Sequence, residues 1–232
     1  MIDLFGISIH DPDVVFTDLG LALLGAYLGW RLWTGGAGAL SKIGAVLMAA
    51  LASAAFWGAV FHAFFPAGTT TASGFIAWIP VSLSIVVAAA TMLGLALLLL
   101  VPGLPPRGLR AVVAAYAAVF AGVVVLVDES FTSIVRFYVP ALLLFLVGAA
   151  WRAIRRRGPG WSLIALGLIM SAGAAVLQQA KVSIHPEHFD HNAVYHVVQC
   201  LALVFLYLGF REIPFTAARV YAAGADPASR PG

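Results

Sequence analysis

Apolar residues fill long stretches of this chain, and the polar residues collect between them. A helix crossing about 30 Å of hydrocarbon needs roughly 20 such residues. Seven stretches qualify: 16–33, 40–65, 74–101, 108–127, 131–151, 160–180 and 191–210. Runs such as LGLALLLLV lack the polar–apolar alternation of a membrane barrel strand. The pattern therefore predicts an all-α protein, a seven-transmembrane helix bundle. Pro102, Pro105 and Pro106 punctuate the third connection, and Gly158-Pro159-Gly160 the fifth. Pro80 and Pro140 fall inside spans and predict kinks. The residues around the first entry are acidic (Asp3, Asp11, Asp13, Asp18), not positive as in a secretory signal, so the first stretch reads as a retained helix. Residues 1–215 form the membrane domain in this reading, and 216–232 a disordered cytoplasmic tail.

Composition sharpens the picture. Of 232 residues, 62% are hydrophobic and only 10% charged, against about 25% charged in soluble domains. That excludes a soluble enzyme. The single Cys200 excludes an internal disulfide framework and a cysteine-based zinc site.

The net charge of +3 takes its meaning from position. Loops assigned alternately to two sides place eleven Lys or Arg against Glu212 and Asp226 on one side, a balance of +9. The other side holds Lys181 against eight acids, a balance of −7, and Arg136 stays within the fifth span. The positive-inside rule then puts the N-terminus outside and the C-terminus in the cytoplasm. The setting expected is a bacterial inner (plasma) membrane, with membrane lipids as partners. The basic balance is a topology signal, and nothing motivates a nucleic-acid partner.

Ionisable side chains are costly in a membrane, so their positions are candidate sites. His62, in FWGAVFHAFF, lies near the outer end of the second span. His196, in DHNAVYHVVQC, lies one to two turns into the seventh, with His191 and Asn192 at its entry. Asp18 opens the first span, Asp128 and Glu129 close the fourth, and Gln178, Gln179 and Lys181 end the sixth. All reach one layer, which predicts a polar pocket opening to the outer face. Three histidine nitrogens plus a water give the open tetrahedral arrangement of catalytic zinc. The candidate ligands are His62, His191 and His196. Asn192 shares a helical face with His196 and is a weaker substitute, because an amide oxygen binds zinc poorly. His191 shares that face only if the backbone there is not yet helical, with Asp190 or His191 as the capping residue.

Seven spans, an external N-terminus, His62 near the outer end of the second span and HNAVYH at the start of the seventh resemble the CREST superfamily. That group includes alkaline ceramidases, the progestin and adipoQ receptors and small bacterial membrane proteins. Its pattern is Ser-x3-His in the second span, an Asp further on, and His-x3-His in the seventh. The resemblance implies a zinc ion held by three histidines, with a bound water attacking a lipid amide or ester at the outer leaflet. His62 and His196 fall on the pattern, Asn192 falls on the first histidine of the pair, and His191 is one residue early. Gly58 stands where the pattern has Ser, and Ser73 where it has Asp. Both departures touch the hydrolytic chemistry more than the fold. In this reading Asp128 or Asp18 serves as a base or orients a ligating histidine, while Arg136, Ser73, Gln178 and Tyr195 contact lipid or support the ligands.

Other readings are weaker. Lys42 and Lys181 lie at span ends, which excludes a retinal Schiff base. The chain has neither Asp-Arg-Tyr nor Asn-Pro-x-x-Tyr, so the motifs of a G-protein-coupled receptor are missing. Haem held between His62 and His196 has only those two imidazoles in its favour. The rival to the hydrolase is a non-catalytic receptor or lipid-binding protein with a structural metal.

Overall fold

The computed structural model describes residues 1–4, 6–36, 38–155, 158–185 and 188–213, so the expected tail lies outside the described residues. The helices are α1 (Pro12–Gly35), α2 (Ala39–Phe64), α3 (Ala72–Leu100), α4 (Pro106–Leu126), α5 (Phe131–Ile154), α6 (Pro159–Gln179) and α7 (His191–Glu212). All seven are long and apolar enough to cross a membrane. Their ends follow local chemistry. Proline opens α1, α4 and α6, where the missing N–H costs nothing. Side-chain oxygens of Thr71, Ser130 and Asp190 cap α3, α5 and α7. Pro80 and Pro140 are carried inside helices that run on through them.

One short element departs from the all-helical reading. Strands β1 (Ile2–Leu4) and β2 (Ile7–Ile9) form an antiparallel hairpin. Gly6 turns it with φ +81°, and its N–H donates to Asp3 Oδ1 at 2.9 Å. His10 N–H donates to Ala63 O at 3.1 Å and ties the hairpin to the end of α2. The alternation of Ile2, Leu4, Ile7 and Ile9 around a glycine carried this signal.

Six helices close a ring in the order α1, α2, α3, α5, α6, α7 and back to α1, while α4 packs outside it, chiefly on α3. Only Phe120 and Val124 of α4 are buried. Phe120 stacks on Phe137 of α5 with centroids 4.7 Å apart, and the Tyr116 hydroxyl donates to Phe137 O at 2.7 Å. Beyond Arg107 and Arg110 at its start, the other α4 side chains are mostly apolar and suit lipid as well as they suit protein, which is why one helix can stand outside.

The helices pack tightest at the end where α1, α3 and α5 finish, the basic end. A Cβ on Gly209 would lie 2.7 Å from Gly160 O, and one on Gly167 would lie 2.9 Å from Ala202 O. The backbones of α6 and α7 can approach this closely only because those positions lack side chains. Phe145 and Phe210 fill the space beside them, fully buried and stacked.

Candidate ligand cavity

The α7 sequence sets one wall. Asp190 Oδ1 accepts from Asn192 N at 2.8 Å and Ala193 N at 3.0 Å, which fixes His191 as the first helical residue. Asn192, Tyr195, His196 and Gln199 then follow the i, i+3, i+4, i+7 spacing of a single helix face. All four line a cavity of about 410 Å³ among the six ring helices, at the end where α1, α3, α5 and α7 begin and α2 and α6 finish. The cavity reaches Leu51, thirteen residues before the end of α2 at Phe64, or about 20 Å down that helix. Polar groups crowd its upper part: His62, Gln178, Gln179, Lys181, His191 and Asn192. Its floor is apolar, with Leu21, Leu51, Ala55, Val81 and Ile85.

A buried pair stands between the two zones. Asp18 (3% exposed) and His196 (7% exposed) meet with Oδ1 and Nε2 3.1 Å apart. On its other side the imidazole Nδ1 lies 3.1 Å from Thr17 Oγ1, whose hydroxyl also reaches Asp13 O at 2.8 Å. With the threonine hydrogen on that carbonyl, Nδ1–H donates to Thr17 and one proton is shared between Nε2 and Asp18. The pair is then neutral overall, as a membrane interior demands. A Cβ on Gly58 would lie 2.9 Å from Asp18 Oδ2. Glycine at 58 thus leaves room for the α1 carboxylate, and the cluster joins α1, α2 and α7.

The remaining candidates divide. His62 faces Asp11, its Nδ1 3.8 Å from Oδ2, and His191 Nδ1 lies 3.6 Å from Asp190 Oδ2. Asn192 is held at both ends of its amide, accepting from Gln178 Nε2 at 2.9 Å and donating to Asp190 Oδ2 at 3.2 Å. Among the described residues no three His, Cys, Asp or Glu side chains form a metal-holding group. On a continuous helix His191 and His196 point about 140° apart, and both nitrogens of His196 are engaged. The donor set does not fit a three-histidine zinc centre in this arrangement.

Asp128 lies outside the cavity and serves the entry to α5. Its carboxylate accepts from the Ser133 hydroxyl and from Ser130 N at 3.0 Å. These bonds, that of Ser133 foremost, with Arg136 nearby, hold it below the usual carboxylate value. Arg136 is exposed, and Ser73 is exposed in the first turn of α3. Neither lines the cavity. Two lining groups escaped the sequence reading, Gln199 and Tyr138. The α7 stripe could have revealed Gln199; no sequence signal singles out Tyr138 from the other span tyrosines.

The description "Family of unknown function (DUF6962)" belongs to the family that matches residues 14–214, and the chain is a member of it. No curated protein and no solved structure matches.

Proposed function

We propose that this family member takes a single-chain amphiphile from the membrane into its cavity, head at the polar mouth and tail on the apolar floor. The observation that carries this reading is the gradient inside the 410 Å³ cavity, polar at the membrane edge and apolar at depth. Its volume lies within the roughly 300–1,000 Å³ range of small-molecule sites. The described residues near the mouth are mostly acidic (Asp3, Asp11, Asp13, Asp128, Glu129, Asp190), while Arg31, Lys42, Arg107, Arg110, Arg152, Arg155 and Arg211 lie at the opposite end. By the positive-inside rule we infer that the mouth faces the outer leaflet of the plasma membrane.

Hydrolysis of a lipid amide or ester is the second reading, and the Asp18–His196 pair favours it. With both imidazole nitrogens engaged, the base in this reading is Asp18, whose carboxylate lines the cavity and can take a proton from a water attacking a bound carbonyl while His196 Nε2 holds the proton they share. Because the histidines do not fit a zinc centre, this reading rests on that pair alone.

Purified protein tests both. Extraction and mass spectrometry are expected to find about one equivalent of a single-chain amphiphile, and added octadecanoate is expected to compete with it. Dialysis against a chelator is expected to leave that binding intact; loss that returns with zinc would restore the metal. Release of product from acyl-amides or phospholipids, abolished in His196→Ala, would move the assignment to the hydrolase. Saturable binding without product supports the binding protein.

A further inference from the structure

Three polar groups below the mouth make no hydrogen bond among the described residues. Gln199 is only 3% exposed, lines the cavity, and its amide makes no hydrogen bond among the described residues. The hydroxyls of Tyr138, on α5, and Tyr195, one turn before Gln199 on α7, likewise have none there, and both side chains line the same space. The two tyrosines are close enough to interact electrostatically. By helix rise Gln199 stands about 12 Å past the start of α7 and Tyr138 about 10 Å past the start of α5, and both side chains line the cavity.

Buried polar groups are almost always paired, and an unpaired one is costly. Asn192 and His196, on the same face of α7, follow that rule, each engaged by neighbouring side chains. Among the described residues Ser82 Oγ and Arg152 Nε are also buried without a partner, but neither residue lines the cavity; Gln199 and the two half-buried tyrosines are set apart by lining it. An amide offers both donors and an acceptor, and a phenol offers both roles. Any tail that reaches Leu51 and Ile85 must pass this level.

We propose that Gln199, Tyr138 and Tyr195 form a clamp for a neutral hydrogen-bonding group, a hydroxyl or carbonyl, carried part-way along the ligand's apolar chain. This rests on the amphiphile-binding reading and narrows it from any single-chain amphiphile to a functionalised one. A plain chain leaves the clamp unpaired, and sites of this kind discriminate strongly against the ligand lacking the polar group.

The test compares octadecanoate with a mid-chain hydroxyoctadecanoate and its oxo analogue, binding to the full chain in nanodiscs. The unsubstituted protein is expected to prefer the functionalised chains by about tenfold or more. In Gln199→Leu, Tyr138→Phe and Tyr195→Phe the ratio of affinities is expected to fall toward one. Three independent variants, each checked by thermal unfolding, guard against a single one that fails to fold. Equal affinities in the unsubstituted protein, as when water alone satisfies these groups, would overturn the clamp and leave amphiphile binding standing. A preference that survives all three substitutions would overturn it too. If no chain binds, the reading beneath it fails and the clamp with it.

Discussion

Helices α6 and α7 show both characters of this protein within one pair. Near the basic end, a Cβ on Gly209 would meet Gly160 O at 2.7 Å. Seventeen residues earlier on α7, about 25 Å along the helix, Asn192 accepts a hydrogen bond from Gln178 at the wall of a 410 Å³ cavity. Lipid tails are as apolar as leucine, so transferring a side chain from lipid to core gains little. Close packing then depends on small residues that let backbones meet, and separation depends on larger and polar groups facing inward. The basic half follows the first rule and the cavity half the second, which leaves one half close-packed and the other open.

Substitutions should separate the halves. Gly209→Leu pushes a branched side chain into the backbone of α6 and is expected to cost about 3 kcal/mol or more, seen as a large drop in thermal unfolding midpoint. A neutral result would dissolve the distinction. Asp18→Ala removes one link between α1 and α7 and leaves His196 without its acid. Polar contacts between membrane helices are modest, so about 1–2 kcal/mol is expected. Gly58→Ser sets a Cβ against Asp18; about 1 kcal/mol is expected, together with weakened ligand binding. The smallest effect belongs to Ser133→Ala, outside the cavity. Asp128 is held below the usual carboxylate value, chiefly by the hydrogen bond from Ser133, so its contribution is present above the carboxylate range and lost as the pH falls through the folded value. The difference in unfolding midpoint between Ser133→Ala and the unsubstituted protein should therefore narrow on acidification. A difference that widens would contradict this role.

Much of the architecture was legible because span length and apolar composition are one-dimensional signals. Each expected stretch became a helix with ends displaced by only a few residues, and the polar layer of His62, Asn192, His196 and Gln178 does line one cavity. Rotation about the helix axis was not legible. Asp128 and Arg136 reach the expected depth but do not face the cavity, and composition cannot tell that α4 stands outside the ring when lipid and core are equally apolar. The pairing of Asp18 with His196 joins residues 178 positions apart, and only the packing of α1 against α7 brings them together. Gln199 is different, since its place in the stripe of Asn192, Tyr195 and His196 follows from spacing alone.

Saturation binding of radiolabelled octadecanoate in nanodiscs, with Ala54→Phe beside the unsubstituted chain, bears most directly on the cavity as a ligand chamber. Ala54 lines the cavity, and a phenyl ring there would fill space without touching the glycine contacts of the basic half. Single-site saturable binding that weakens about tenfold or more in the variant, with an unchanged unfolding midpoint, is the expected result. Equal binding by the two proteins, or no saturable binding by either, would contradict it.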